Sequence, residues 1–332
     1  MIPNQWYAIL ESRQVKPGRP VGVTRMGEKL VLWRDAQGRL ACLSDLCPHR
    51  GVALSAGRLE GECIECPFHG FQYDTAGRCR LIPANGRNAS VPKAFQVKAY
   101  PVQEAHGLIY LWWGEPRPNY PSLPWFESLG EDFYSSTVRD HWATHYSRAI
   151  ENQLDVAHLP FVHHNTIGRG NRTLVNGPVV QVETPQGESP LLNLWVYNQV
   201  DQGQTPLKPT EIPPPNRRPF LQFRFPNLWQ NWISDKFRVF VAFAPIDDEN
   251  TLMYVRMYQK MVAAPLLRHF VNFVGAAANL AIVRQDRRVV ITQRPKRTDL
   301  RMGEKLTQSD GPIVEYRRIR QALLDEASDS QR

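Results

Sequence analysis

No long hydrophobic run interrupts this sequence. Its longest weakly polar stretch, positions 270–283, includes Asn272 and Asn279 and falls short of the roughly 18 apolar residues that suggest a bilayer span. A buried helix of a soluble domain is expected there, and no membrane association. The opening Met1-Ile2-Pro3-Asn4-Gln5-Trp6-Tyr7 has neither the basic start nor the apolar core of a secretory leader. Cysteine is scarce, with five in the chain. An odd set of spare thiols argues against a disulfide framework and for a reducing, cytoplasmic setting. Basic charge is not concentrated either: the net +8 is spread along the chain without the stripe that nucleic-acid binding requires. A generally basic surface, or steering of an acidic redox partner or anionic substrate, accounts for it. Internal repeats are absent.

What is present is concentrated between Cys47 and Gly70. The run Cys47-Pro48-His49-Arg50-Gly51 is followed by Cys66-Pro67-Phe68-His69-Gly70. Thiolate and imidazole together select iron–sulfur or zinc over hard cations. Zinc fingers usually pair Cys with Cys and His with His, whereas each loop here carries one of each. That mixture suits a [2Fe–2S] cluster with Cys47 and Cys66 on one iron and His49 and His69 on the other; a structural zinc site is the alternative. The prolines and glycines turn the backbone tightly and bring amide N–H groups towards the cluster sulfurs. These residues resemble a Rieske centre. Respiratory-type Rieske proteins carry an extra cysteine after each ligand loop, and Val52 and Phe68 stand at those positions here. The resemblance therefore implies the soluble oxygenase and ferredoxin class. Cys42, Cys63 and Cys79 read as spare thiols, although Cys63-Ile64-Glu65-Cys66 mimics a C-x-x-C motif.

The length predicts two domains. Residues 1–117 read as all-β, with strands at Lys29–Trp33, Leu40–Leu43, Gln96–Tyr100 and Leu108–Trp113 separated by turn signals. The cluster loops are expected on hairpin tips. Four prolines within positions 116–124 make a stiff connection, so a second domain is placed at 118–332. It reads as a strand at Phe133–Thr137, a helix at His145–Val156, and strands at Leu191–Val196, Phe220–Phe225, Arg238–Phe243 and Leu252–Tyr258. The proline-rich stretch 201–218 reads as a mobile loop, a candidate lid. A long helix follows from Pro265 to about Arg288, then one over Pro312–Leu324 and a frayed tail.

The second informative stretch is Glu151-Asn152-Gln153-Leu154-Asp155-Val156-Ala157-His158-Leu159-Pro160-Phe161-Val162-His163-His164. On one helix Asp155 and His158, three apart, share a face, and Pro160 lets the chain turn so that His163 comes back beside His158. Two imidazoles and a carboxylate make the facial triad of a non-haem Fe(II) oxygenase; the stretch supplies the histidines and leaves the carboxylate to be found. His106, His141, His145 and His269 read as ordinary surface or core histidines, with a second metal at His141 and His145 the lesser reading.

The two motifs in this order resemble the catalytic subunit of Rieske non-haem iron oxygenases, of the vanillate demethylase-like or ring-hydroxylating group. The likeness covers essentially the whole chain. It implies an α+β architecture: an all-β [2Fe–2S] domain, then a helix-grip, START-like domain with an antiparallel sheet and long helices. By motif it makes His158 and His163 iron ligands, Asp155 the carboxylate linking the two metal centres, and Asn152 a nearby residue. The family's third ligand is an aspartate late in the chain, which Asp286 matches, with Asp299 as runner-up; His164 competes with His163. The cofactors implied are the cluster, a mononuclear Fe(II) and O2, with NAD(P)H acting only indirectly through a reductase. The implied partners are that reductase or a ferredoxin, a small-molecule substrate, and two further copies in a head-to-tail homotrimer. The chain's size suggests monooxygenation, by hydroxylation or by oxidative O- or N-demethylation. Aromatic ring cis-dihydroxylation is the alternative, and a Rieske electron carrier is the reading from another class. Trp195, Tyr197, Trp232 and Phe273 are candidates for an apolar pocket.

Overall fold

The computed structural model describes residues 1–168 and 172–329. The chain divides into two compact units, one running to Tyr120 and the other from Pro121 onward, so the boundary falls inside the proline-rich connection.

The first unit is built from three small antiparallel sheets. One joins β1 (Gln5–Glu11), β10 (Leu108–Trp113) and β9 (Val102–Ala105). A second joins β2 (Val21–Arg25), β3 (Glu28–Arg34) and β4 (Leu40–Ser44). The third joins β5 (Arg58–Glu60), β6 (Cys63–Glu65), β7 (Gln72–Tyr73) and β8 (Cys79–Leu81) and carries the Cys66 loop. The β9–β10 turn places His106 and Gly107 at φ of 54° and 70°, the left-handed pair that a tight antiparallel turn requires. Beneath the cluster loops lies a core of Val31, Trp33, Leu43, Leu54, Ile64 and Tyr73, joined by Cys47 and Cys66 themselves.

Two expectations for this unit need correction. The Cys66 loop is a hairpin tip between β6 and β7, but the Cys47 loop connects β4 to β5, which lie in different sheets. Gln96–Tyr100 is not a strand. It follows the sheet edges through single bridges, Arg78 with Gln96 and Leu43 with Ala99, and through Tyr100 N–H to Cys42 O at 2.9 Å.

The second unit is one seven-stranded antiparallel sheet in the order β11-β17-β16-β15-β14-β13-β12, with helices against it. Its strands are β11 (Tyr134–Trp142), β12 (Leu174–Glu183), β13 (Leu191–Gln199), β14 (Leu221–Arg224), β15 (Leu228–Ser234), β16 (Phe237–Pro245) and β17 (Thr251–Gln259). The helices are α1 (Tyr146–Leu154), α2 (Leu159–Val162), α3 (Pro265–Val290) and α4 (Gly311–Asp329). Helix α4 thus runs through positions expected to be a frayed tail. The stretch 201–218 is irregular but fastened: Leu207 N–H reaches Asn176 Oδ1 at 2.8 Å, and Gln308 Nε2 and Trp195 Nε1 donate to Leu207 O and Arg217 O at 2.7 Å each.

Helix α3 differs most from expectation. Only one stripe is buried, namely Asn279, Val283, Asp286 and Val290, spaced three and four apart as one helical face requires. The helix packs on β11 and β17 and also meets α1 and α2. Ser136 Oγ donates to Asn272 O at 3.1 Å, and a Cβ at Gly275 would collide with Met257 Sδ. Leu266, Leu267, Phe270, Phe273 and Val274 are exposed instead of buried. The apolar stretch reaches back from Phe270 through Leu266 and Leu267, and ends at Val283, before Arg284. The whole helix is, by length and composition alone, sufficient to cross a membrane.

Two candidate metal centres

The two loops of the first unit fold alike. Cys47 N–H bonds Val52 O at 2.9 Å and Gly51 N–H bonds Cys47 O at 2.8 Å; Cys66 N–H bonds Phe71 O at 2.8 Å and Gly70 N–H bonds Cys66 O at 3.0 Å. Gly51 and Gly70 adopt φ of 74° and 70°, a region that side chains disfavour. Each loop thus closes around its cysteine and presents its histidine at the tip. The His49 and His69 rings stand 4.7 Å apart, with His49 stacked on Phe71. Both thiols are buried, and Tyr73 Oη lies 3.3 Å from Cys47 Sγ. Burial pushes the Cys66 thiol up, opposed by backbone N–H groups of Phe68 and His69. A single tetrahedral ion would draw four ligand atoms to one point. Among the described residues, the sole group of three or more potential ligands whose atoms lie within 4.8 Å of one another is in the second unit.

That group is His158, His163 and Asp286. Its construction departs from the expected single helix. Helix α1 stops at Leu154, and Asp155 is extended with φ −71° and ψ 129°. Its side chain accepts Ala157 N–H at 2.7 Å, a local bond that competes with helix continuation. His158 then precedes α2 and His163 follows it. Pro160 lies in the first turn of α2, where its missing N–H costs nothing, so the break comes at Asp155 rather than at the proline.

Asp286 enters from the buried stripe of α3. Its Oδ1 lies 2.9 Å from His163 Nε2 and 3.4 Å from His158 Nε2. Adjacent ligands about 2.1 Å from a common ion stand about 3 Å apart in octahedral geometry, so the spacing fits a metal at their centre. Asp286 Oδ1 is buried without an aligned hydrogen bond, as expected of a group meant for a cation. Burial draws His158 down, but Asp155 and Asp286 outweigh it and raise its pKa to about 9. Burial alone would lift Asp286; the two histidines hold it below the usual carboxylate range. Asp155 Oδ2 is 3.5 Å from His158 Nδ1, at the outer edge of hydrogen-bonding distance, and both its proximity and its charge favour the protonated ring.

The competing residues lie elsewhere. His164 is exposed and contacts Phe161 O at 3.0 Å; Asp299 is exposed beside Arg297. His145 is buried and bonded to Ser147, whereas His141 is exposed and bonded to Asn250. Asn152 is on α1 with a buried, unbonded Nδ2, and its neighbour Gln153 donates to Asp286 Oδ2 at 3.4 Å. Of the aromatic candidates, Tyr197 and Trp232 lie under Arg217 and Arg238, Trp195 is bonded to Arg217 O, and Phe273 is exposed. Sequence reasoning missed Gln285, whose Oε1 is 2.8 Å from His163 Nδ1. Its place beside Asp286 was the available signal.

A thiol–imidazole loop pair in one β unit and a two-histidine, one-carboxylate cluster on a sheet-and-helix unit define a protein with two metal-donor sets. Residues 5–101 match the Rieske [2Fe-2S] domain, and residues 142–326 match the vanillate O-demethylase oxygenase C-terminal domain. The chain belongs to the Rieske non-haem iron oxygenase family, in its vanillate O-demethylase-like branch. Similar proteins include Protein TIC 55, chloroplastic, from Arabidopsis thaliana, 35% identical over 49% of this chain and 31% of that one. Another is the toluene-4-sulfonate monooxygenase system iron-sulfur subunit TsaM1 from Comamonas testosteroni, 29% identical over 59% of this chain and 56% of that one. The chain thus spans 31% and 56% of these two relatives. The fold is shared with NdmA from Pseudomonas putida CBB5 solved with caffeine, at TM-score 0.77 and 20% identity, covering 98% of this chain and 92% of that one. It is shared too with dicamba monooxygenase bound to dicamba, at TM-score 0.72 and 19% identity, covering 99% of each chain.

Proposed function

We propose that this chain is the oxygenase component of a multicomponent system. It takes electrons from a reductase, directly or through a ferredoxin, and uses O2 to monooxygenate an aromatic, polycyclic or heterocyclic small molecule. Hydroxylation and oxidative O- or N-demethylation are the forms of that reaction. The observation that carries this reading is the convergence of His158, His163 and Asp286 in a chain that also bears a Rieske domain. The named substrates or ligands of similar proteins, toluene-4-sulfonate, caffeine and dicamba, are ring compounds of the class proposed.

In this reading Cys47 and Cys66 hold one iron of the cluster, and His49 and His69 the other. His158, His163 and Asp286 hold the mononuclear Fe(II). Bound there, the iron supplies dioxygen chemistry that no amino-acid side chain offers. The chain's own residues bind and orient it: the histidines as neutral donors, Asp286 as the charge-balancing carboxylate, Gln153 bracing Asp286 through its second oxygen. Asp155 links His158 to His69 of a neighbouring copy in a cytoplasmic homotrimer, and Asn152 flanks the iron. The two domains of this reading meet inside the proline-rich connection, near residue 117.

Metal and sulfide analysis of anaerobically reconstituted protein tests this. Three irons and two acid-labile sulfides per chain are expected. Two irons would leave an electron carrier, and zinc without sulfide would reject both readings. Reductant, O2 and a panel of methylated aromatics and heterocycles then separate the reactions. Formaldehyde release marks demethylation, and a cis-diol product would replace monooxygenation with dihydroxylation.

A further inference from the structure

Gln285 precedes Asp286 on α3, so it leaves the helix about 100° away from the ligand face. It reaches His163 from behind. Its Oε1 lies 2.8 Å from His163 Nδ1 and accepts Thr166 Oγ1–H at 2.9 Å, while its Nε2 donates to Asn165 Oδ1 at 3.1 Å. Asn165 and Thr166 belong to the turn directly after His163, where Thr166 N–H and Gly168 N–H both reach His163 O at 2.9 Å. Gln285 therefore bridges the ring of His163 and the turn that anchors it.

The direction of the carboxamide decides which imidazole nitrogen carries the proton. With Oε1 towards Nδ1, His163 keeps its hydrogen on Nδ1, and Nε2 presents a lone pair towards Asp286. With the amide turned over, an N–H would face Nδ1. The neutral ring would then carry its hydrogen on Nε2, pointing at the position where a metal must bind. In the structure Oε1 faces Nδ1 and accepts from Thr166, while Nε2 faces Asn165 Oδ1, which is the first orientation.

We propose that Gln285 is a positioning residue that selects the Nδ1–H tautomer of His163 and thereby sets the affinity of the triad for its divalent metal. The inference rests on the triad reading above. The experiment uses full-length, cluster-loaded protein freed of mononuclear metal, titrated anaerobically with Co2+ and with Fe2+ by equilibrium dialysis. Gln285→Leu is expected to weaken metal binding about 10–100-fold with unchanged cluster content and thermal unfolding. Gln285→Glu keeps an acceptor at Nδ1 and is expected to bind within about threefold of wild type, because such partners act by orienting the ligand. Thr166→Val leaves Gln285 in place but frees the amide to turn over; a smaller weakening is expected, and this variant serves if Gln285→Leu does not fold.

Wild-type affinity in Gln285→Leu, or in Thr166→Val where Gln285→Leu does not fold, would overturn the proposal. So would a Gln285→Glu protein as weak as Gln285→Leu. Those results leave the triad standing. A wild-type protein that takes up no Co2+ sensitive to His158→Ala would instead remove the triad reading and this inference with it.

Discussion

Arg317 on α4 and Glu151 on α1 form a buried two-point pair across 166 residues of chain, with Nε to Oε1 at 2.8 Å and Nη2 to Oε2 at 2.9 Å. Arg148 lies 3.3 Å from Glu151, and both arginines reach Glu304, at 2.8 and 2.7 Å. Two buried cations thus face the buried carboxylate of Glu151 and the solvent-accessible one of Glu304. The cluster clamps α1, whose last turn carries Gln153 and runs on to Asp155 and His158.

Removing one member of such a pair leaves a buried charge without its main partner, at a cost of about 3–5 kcal/mol. Arg317→Met is therefore expected to lower the thermal midpoint of the second unit while the cluster's absorption persists to the same temperature as in wild type. Adding Glu151→Gln should restore part of the loss, because the stranded charge is gone. A melt followed by both far-UV circular dichroism and visible absorption reads the two units separately.

His145 supplies a pH dependence. Burial, helped by the charge of Arg320, pushes its pKa down to about 2 from the ordinary 6.5. At neutral pH the ring is uncharged whether folded or not, so nothing is lost. Below about 6.5 the unfolded chain takes up a proton that the folded one refuses, and stability falls by up to about 1.4 kcal/mol per pH unit. Denaturant midpoints of wild type and His145→Asn between pH 7.5 and 5 should diverge, with the wild type steeper. Asparagine retains a helix-capping side chain in place of the His145–Ser147 N–H contact of 3.3 Å.

Asp155→Asn removes the charge beside His158 while retaining an oxygen for Ala157 N–H. Both metals are expected to stay bound. Turnover is expected to fall by at least about 10–100-fold, the usual scale for a carboxylate behind a metal-bound histidine. Product formation at the wild-type rate, with iron and sulfide content confirmed, would exclude a linking role.

The turns of the two Cys–His loops were legible in the sequence because Pro48, Gly51, Pro67 and Gly70 state the backbone plainly in two short, self-closing segments. Strands β3, β4 and β10 were legible for the same local reason. Asp286 was not readable from its neighbours: an aspartate among arginines looks like a surface ion pair, and only likeness to a family singled it out. Strands β12 and β15 escaped specific assignment. The end of α1 escaped because helix propensity continues past Leu154, while the bond from Asp155 to Ala157 N–H ends the helix. The exposure of α3 escaped because apolarity was equated with burial, although the sheet accepts only one stripe of that helix.

The two donor sets also differ in when they can exist. Cys47, His49, Cys66 and His69 lie in adjoining loops of the unit that is synthesised before the other, so those loops can close while the chain is still emerging. His163 and its partner Gln285 are separated by 122 residues, and the Glu151–Arg317 clamp awaits α4, which is synthesised later still. Assembly is therefore staged: the two loops can close on a nascent chain, whereas His158, His163 and Asp286 come together only once α3 has left the ribosome and are braced only after α4 follows.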